Sequence, residues 1–319
     1  MRNNVLLCFL KNICALWRCD IYRDISELKY QQKLSSEKLS CVDARELLFE
    51  IQTYYDVHTA EANKYKDELY YLKQNGLTIF PYKQIFKSNK VETAYDKDVK
   101  LPYVVHKSKR LYFPMEYSGY RMETVYRRLY EIEGISGEGI MEKNPHQYQS
   151  KIFKIEEGDV LVDVGCAEGL LSLDVIDRIS KVYLIESDLR WMPALKATFA
   201  PYKDKVVLVP NLITDVDSES TITLSTLLKK EHDSSLFIKM DIEGYETQVI
   251  ESSRDFFIKH PKAKFTCCTY HKANDAEILE NLFKEYGYET EFSDGYMLFL
   301  SDCLTQPYFR KGVIRAKKI

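Results

Sequence analysis

Apolar runs and helical stretches alternate along the second half of the chain. Apolar runs of strand length predict strands at 160–162, 182–185, 206–209, 236–240 and 264–269. Stretches with helical periodicity lie between or after them, at 170–179, 191–199, from near Tyr245, and at 275–286. This alternation is typical of a parallel sheet with crossover helices. The last apolar segments, 288–292 and 296–300, flank Ser293-Asp294-Gly295 and predict a hairpin. We therefore expect a doubly wound α/β sheet with one antiparallel strand.

The first half of the chain contains a long stripe of apolar residues at helical spacing, between the helix-start signal Asp43-Ala44-Arg45-Glu46 and the helix-stop signal Asn75-Gly76. The stripe consists of Leu48, Ile51, Tyr55, His58, Ala62, Tyr65, Leu69 and Leu72. It predicts one helix over 44–74 that packs on its own domain. A coiled-coil seam, through which the chain would form a homodimer, is the alternative. His58 is expected to be a half-buried structural side chain.

Between these halves lies a segment that could shape a substrate site. Apolar runs on either side of Lys107-Ser108-Lys109 predict a β-hairpin, and a helix is expected at 122–131. The chain is thus expected to comprise a helical extension, this lead-in segment, the α/β domain and a tail. Their predicted bounds are 1–76, 77–147, 148–302 and 303–319.

Composition narrows the choice of partners and compartment. The 319 residues carry a net charge of −3, with 45% hydrophobic and 29% charged residues, so a sizeable core is expected and a nucleic-acid partner is not. None of the eight cysteines forms a C-x-x-C pair, which fits a reducing compartment, and we expect a cytoplasmic protein. The apolar run 5–10 is too short to span a membrane. An amphipathic membrane-surface helix at 5–17 is the alternative.

A glycine-containing turn follows the first predicted strand of the α/β domain. It reads Asp163-x-Gly165-x-x-x-Gly169 and runs directly into a helix. In dinucleotide-binding folds such a turn receives a pyrophosphate at the helix N-terminus. Here Glu168 lies in the turn and Asp163 precedes it, and two acids would repel a pyrophosphate. They would accommodate the ammonium and sulfonium groups of S-adenosylmethionine.

The end of the second strand supports an adenosine cofactor. Glu186 lies 21 residues after Gly165, the distance at which an acid commonly accepts the ribose hydroxyls. A solvated charge at a strand end is the alternative. The expected cofactor-binding residues are Asp163, Gly165, Cys166, Ala167, Glu168, Gly169, Glu186, Ser187 and Asn211.

Acids and a histidine follow the fourth and fifth strands. Ligands of open α/β sheets bind beyond the carboxyl ends of the strands, where Asp241 and His271 are expected to meet. These two are the predicted catalytic residues, although an isolated histidine is often structural and acids often cap a helix. Glu243 and Glu246 could instead position the turn. The expected substrate-binding residues are Lys239, Glu243 and Tyr270.

The strings VLVDVGCAEGLLSL, YLIESD, FIKMDIEGYE, CTYHK and GYMLF occur in this order between Tyr148 and Phe299. In this range the chain resembles the FkbM-type methyltransferases. Lys109 to Pro114 and Asn144 to Tyr148 are similar to lead-in segments of that family, while Phe80-Pro81-Tyr82 and the tail at 307–312 resemble a bacterial subgroup. Cys166-Ala167 departs from the Ala-Asn that is frequent in the family, and the first 75 residues match it poorly.

The resemblance implies a class I methyltransferase fold, with a mostly parallel seven-stranded sheet and an antiparallel C-terminal strand. It also implies S-adenosylmethionine as cofactor and a sugar, glycan or secondary-metabolite hydroxyl as acceptor. The hydroxyl would attack the methyl group in line, with His271 as base, or with Asp241 as base or orienting group. No spacing assigns a metal; a divalent ion held by Asp241 and a neighbouring acid is an alternative. A non-catalytic scaffold and an NAD-dependent oxidoreductase are the competing functions.

Overall fold

The computed structural model describes residues 44–231, 234–299 and 305–318. Two compact units emerge, one of Met1–Gln84 with Gly295–Arg310 and one of Ile85–Asp294 with Lys311–Ile319. This division differs from the predicted bounds, because each unit takes a separate piece of the chain from beyond residue 294. The possible helix at 5–17 and the helix start at Asp43 lie outside the described residues. Within the described part of the chain no helix is long and apolar enough to cross a membrane.

The helices are α1 (44–57), α2 (Thr59–Lys64), α3 (Lys66–Asn75), α4 (Gly119–Arg127), α5 (Leu170–Val175), α6 (Met192–Phe199), α7 (Leu224–Leu227), α8 (Glu246–Ser252), α9 (Arg254–Lys259) and α10 (Asp275–Glu285). The strands are β1 (Thr93–Asp96), β2 (Leu101–His106), β3 (Lys109–Tyr112), β4 (Val160–Val164), β5 (Lys181–Ile185), β6 (Val206–Val209), β7 (Leu212–Ile213), β8 (Thr221–Ile222), β9 (Leu236–Met240), β10 (Lys264–Cys268), β11 (Glu289–Phe292), β12 (Met297–Leu298), β13 (Phe309–Arg310) and β14 (Val313–Lys317). A π-helical turn at Arg128–Ile132 extends α4, and a 3-10 segment at Ala200–Lys205 follows α6.

The apolar stripe of the first unit is broken into three helices, so the prediction of one helix over 44–74 is wrong. The breaks are at His58 and Tyr65, whose φ/ψ values are −108/62° and −111/22°. A straight helix would separate residues 55 and 65 by about 15 Å, whereas the rings of Tyr55 and Tyr65 meet at 5.6 Å. The breaks therefore let the stripe fold onto itself. His58 is exposed rather than half-buried, and its ring stacks on Tyr54 at 4.0 Å. The homodimer stays a prediction.

The second unit contains the expected seven-stranded sheet, in the order β11-β14-β10-β9-β4-β5-β6. Strands β10, β9, β4, β5 and β6 are parallel, whereas β14 runs antiparallel to both of its neighbours. The central strands β4 and β9 are buried at every position, because helices cover both faces. The structure thus confirms the predicted α/β class, and the site residues follow the carboxyl ends of β4, β5, β9 and β10.

The predicted hairpin of 288–292 with 296–300 is wrong. Strand β11 pairs with β14, from the expected tail, and β12 pairs with β13. The apolar side chains of Val313, Ile314 and Ala316 fill the sheet core, while Arg315 between them is also buried. Its guanidinium donates to the Tyr148 carbonyl at 3.1 Å and pairs with Glu291 at 3.1 Å. A charged side chain at the centre of a buried strand explains why the apolar pattern alone did not reveal β14.

The predicted β-hairpin before the α/β domain is confirmed as β2 and β3, and β1 joins it in a three-stranded antiparallel sheet. The helix expected at 122–131 begins earlier, at Gly119. Ser118 explains the shift, because its hydroxyl accepts the backbone N–H of Arg121 at 3.2 Å and caps the helix.

Removing the ring of Phe265 should destabilise the second unit. Phe265 in β10 is fully buried and stacks on Phe257 at 4.7 Å. We expect Phe265→Ala to lower the free energy of unfolding by about 3–5 kcal/mol, since the ring leaves a cavity. Urea denaturation measures the loss. The control Ile258→Ala, at a side chain that is 70% exposed, should change it by less than about 0.5 kcal/mol. Equal effects of the two variants would contradict this description of the core.

Candidate active site

The turn after β4 requires glycine at two positions. Gly165 has a φ of +73°, and a Cβ there would overlap the carbonyl oxygen of Asp241. Gly169 has a φ of +77°, and its Cβ would lie 2.9 Å from the ring of Phe199. Between them, Ala167 also has a positive φ, of 45°. The backbone of the turn therefore packs directly against the residue that follows β9. Helix α5 begins immediately after Gly169.

A buried lysine holds this turn from inside the sheet. The Lys239 ammonium donates to the Gly165 carbonyl at 2.7 Å and pairs with Asp163 at 3.2 Å. The other oxygen of Asp163 accepts the Ser172 hydroxyl at 2.6 Å. Burial disfavours the charge of Lys239, but the negative charges of Asp163 and Asp241 outweigh it and raise the pKa of the lysine. Lys239 and Asp163 thus stabilise the turn through contacts on its buried side. The expected role of Lys239 toward a substrate stays a prediction.

Of the acids of the expected cofactor site, Glu168 lies in the turn and Glu186 lies beside it. Glu186 accepts the backbone N–H of Ala167 at 2.9 Å and that of Asp188 at 2.8 Å. Burial raises the pKa of Glu186. Burial also raises the pKa of Glu168 to about 7, although the backbone N–H of Glu168 and the charge of Lys239 act in the opposite direction. The site therefore holds a carboxyl group that changes its charge near neutral pH.

The remaining expected cofactor residues lie around the same strand ends. Cys166 is buried, and burial raises the pKa of its thiol well above the ordinary value. Ser187 is exposed directly after Glu186. Asn211 follows β6, and its side-chain amide donates to the carbonyl of Glu219 at 3.2 Å.

Asp241 lies at the centre of a second cluster, beyond the end of β9. Tyr148 donates its hydroxyl to Oδ2 at 3.0 Å, and Tyr270 donates to Oδ1 at 3.3 Å. His146 Nε2 lies 3.6 Å from Oδ2, and His271 Nε2 lies 3.4 Å from Oδ1. The structure therefore brings the predicted Asp241 and His271 together, and adds His146 and Tyr148 to them.

Each histidine also contacts a buried glutamate. His146 Nδ1 pairs with Glu133, and His271 Nδ1 pairs with Glu246 at 3.1 Å. Burial opposes the charge of His146, but Glu133 and Asp241 outweigh it and raise the pKa of this histidine to about 9. Glu246 and Asp241 raise the pKa of His271 against burial in the same way. Acids and imidazoles alternate from Glu133 through Asp241 to Glu246.

The charges around Asp241 keep its carboxyl ionised. Burial acts against that charge. The contact from His146 and the positive charges of Lys239 and His271 outweigh burial and hold the pKa of Asp241 well below its ordinary value. Glu243, expected at the substrate, is exposed two residues further on, with a φ of +58°.

Sequence reasoning did not predict that His146, Tyr148 and Glu133 join the cluster around Asp241. The segment Asn144 to Tyr148 was recognised by its resemblance to a lead-in segment, without a role for its side chains. It forms neither a helix nor a strand, so periodicity carried no signal. The available sequence signal for a role in the site was a histidine and a tyrosine two residues apart, shortly before the first strand of the seven-stranded sheet.

Among the residues that the structure describes, two groups of side chains could hold a metal ion. One consists of His146, Asp241 and Cys268, and the other of Asp241, Glu246 and His271, each with ligand atoms within 4.8 Å of one another. Imidazole, thiolate and carboxylate are the ligands that Zn²⁺ prefers. Hydrogen bonds or ion pairs already connect members of both groups; His146 Nε2, for example, lies 3.3 Å from Cys268 Sγ.

Residues 210–290 match the family model of the methyltransferase FkbM domain. This segment includes Asp241 and His271, and over these residues the match supports the resemblance to the FkbM-type methyltransferases. It also confirms the expectation of an enzyme that transfers methyl groups from S-adenosylmethionine. No curated protein matches the chain in sequence.

Two solved structures illustrate what the chain is similar to. The precorrin-6y C5,15-methyltransferase from Geobacter metallireducens is 14% identical, with a TM-score of 0.36 over 52% of this chain and 83% of that one. The S-adenosylmethionine-dependent O-methyltransferase from Thermotoga maritima is 16% identical, with a TM-score of 0.31 over 52% of this chain and 61% of that one.

A side chain at Gly165 should abolish cofactor binding. Gly165→Ala would place a Cβ against the Asp241 carbonyl oxygen, so the turn must move. Calorimetry with S-adenosylmethionine should detect no binding to this variant. Gly158→Ala is the matched control, because Gly158 has a φ of +81° but no atom within 4 Å of the added Cβ. Its affinity should equal that of the wild type, and an equal loss in both variants would show that backbone strain alone is responsible.

Cofactor affinity should fall in acid. A cationic cofactor favours the ionised form of Glu168, whose pKa is about 7, so protonation below that pH weakens binding. The dissociation constant should rise by up to about tenfold for each pH unit below the pKa. Calorimetry between about pH 7.5 and pH 5.5 measures this, and Glu168→Gln should flatten the profile. A profile that is unchanged in Glu168→Gln would assign the dependence to another group.

Proposed function

We propose that the chain methylates a hydroxyl group, and that the acceptor is a sugar, a surface glycan or a secondary metabolite. The observation that carries this proposal is the position of Asp241. Its carbonyl oxygen packs against Gly165 of the cofactor turn, and its carboxylate is the centre of a cluster of hydroxyl and imidazole groups. A hydrogen-bond acceptor for an alcohol therefore lies beside the turn.

The residues of the turn are suited to S-adenosylmethionine. Glu168 offers a carboxylate for a positive charge, and Glu186 follows the neighbouring strand, where ribose hydroxyls are commonly bound. When bound, the cofactor supplies a methyl group on a sulfonium, which is a good leaving group. The protein then mainly has to place an acceptor and receive its proton.

Asp241 is better suited than His271 to receive that proton. The neighbouring carboxylates raise the pKa of His271 and so favour its protonated ring, which cannot accept a further proton. Asp241 is ionised, and its side chain is 18% exposed, against 4% for that of His271. Although its pKa is low, an alcohol becomes far more acidic as its oxygen bonds to the methyl carbon, so late proton transfer to a carboxylate is favourable. His271 then stabilises Asp241 and does not act as the base.

An exposed aromatic side chain that could bind a sugar follows Asp241 in the chain. Tyr245 is 57% exposed, four residues after Asp241, and presents an aromatic face with a polar tip. The family resemblance favours a sugar or metabolite hydroxyl. The proposal includes a cytoplasmic location, which the buried free thiols of Cys166, Cys267 and Cys268 support.

Asp241→Asn should remove activity while leaving the cofactor bound. The amide preserves shape but accepts a proton poorly, so we expect the transfer rate to fall by about 10²- to 10⁴-fold. Release of S-adenosylhomocysteine with a panel of sugars and glycans measures the rate, and mass spectrometry locates the methyl group. Asp177→Asn, at an acid that is 69% exposed, is the control and should keep full activity. Methylation of nitrogen or carbon atoms only, or an active Asp241→Asn, would overturn the proposal.

A further inference from the structure

Asp241 is contacted on both of its carboxylate oxygens by histidines from distant segments. His146 precedes β4 and faces Oδ2, while His271 follows β10 and faces Oδ1. One histidine would suffice to balance the charge of one carboxylate. Two on opposite oxygens restrict its rotation, because turning the group would weaken both contacts.

The ring of His146 is held in place by a glutamate on its other nitrogen. Glu133 is fully buried and pairs with His146 Nδ1, and it also pairs with Arg128 Nε at 3.1 Å. A carboxylate on Nδ1 keeps a proton on that nitrogen and directs Nε2 at Asp241. The ring is thereby held in one orientation between two acids.

Asp241 is the most accessible member of this cluster. Its side chain is 18% exposed, whereas those of His146 and His271 are 2% and 4% exposed and those of Glu133 and Glu246 are fully buried. A bound acceptor can therefore reach the carboxylate more readily than the rings behind it. His146 and Glu133 can influence transfer only through Asp241.

We propose that His146, held by Glu133, is a positioning residue that orients the Asp241 carboxylate toward the acceptor hydroxyl. The inference rests on the proposed function, since it assigns Asp241 to the acceptor. The groups that face His146 are Glu133, Asp241, the hydroxyls of Tyr148 and Tyr270, and the thiol of Cys268. Tyr148 and Tyr270 also bind Asp241, so loss of His146 should leave the carboxylate in place but less restricted.

The decisive measurement is the protonation of the His146 ring, which needs no acceptor. Nitrogen NMR of the full chain, labelled at histidine and bound to S-adenosylhomocysteine, reports it as a function of pH. His146→Gln identifies the signal. We expect both ring nitrogens to be protonated at neutral pH and the ring to titrate near pH 9, because Glu133 and Asp241 face it. Asp241→Asn and Glu133→Gln should each shift this titration to lower pH. An ordinary titration near about pH 6.5, or one that ignores Asp241→Asn, would overturn the proposal.

A kinetic comparison tests the consequence for transfer. With a sugar that the wild type methylates, His146→Gln and Glu133→Gln should each lower kcat about tenfold or more and keep the affinity for S-adenosylmethionine. Glu133→Gln should move the alkaline limb of the pH profile to lower pH, whereas His146→Gln should remove the part of that limb that comes from the ring. His260→Gln is the matched control, because His260 is also buried but precedes β10 at the opposite edge of the sheet. It should change stability without changing the profile. Identical profiles in all variants would overturn the proposal.

The two experiments separate failure of the inference from failure of the proposed function. If no sugar or metabolite hydroxyl is methylated but the ring titrates as expected, the acceptor class is wrong and the His146–Asp241 contact stands. If an acceptor is methylated but the ring titrates independently of Asp241, the function stands and the positioning role is wrong.

Discussion

A single buried ammonium group connects the two parts of the candidate active site, the glycine turn and the Asp241 cluster. Lys239 donates to the backbone of the glycine turn and pairs with Asp163, while its charge also acts on Asp241 at the end of the same strand. Burying these carboxylates without a counter-charge would be very unfavourable, because ions lose their hydration in the protein interior. Lys239 therefore makes possible both the acidic cofactor turn and the ionised Asp241. It lies in β9, at the centre of the sheet.

The parts of the fold that follow a simple period could be predicted from the sequence. Strands β4, β5, β6, β9 and β10 are short apolar runs, and their order along the chain implied a parallel sheet. The residues at their ends followed from the rule that ligands bind beyond the carboxyl ends. Asp241 and His271 could thus be brought to one edge of the sheet without a structure. Their mutual distance and their protonation could not be, because these depend on side chains from elsewhere in the chain.

What the sequence did not reveal depends on long-range contacts. Tyr65 interrupts a helical pattern because its ring packs against Tyr55, and no local signal encodes that contact. Arg315 interrupts the apolar pattern of β14 because its charge is neutralised by Glu291, far away in the sequence. His146 lies in an irregular segment whose position is set by contacts with Glu133 and Cys268. In each case a residue with an unfavourable local preference is stabilised by a partner that only the folded chain supplies.

The position of β14 between β10 and β11 also bears on how the protein is made. During synthesis, β10 and β11 leave the ribosome before the strand that separates them, so neither has its final neighbour. Until residues 313–317 appear, β10 presents an open hydrogen-bonding edge that could pair with the wrong segment or with another nascent chain. Completion of the sheet is therefore a late event that waits for translation. That edge is open to wrong pairing for the interval between the two strands.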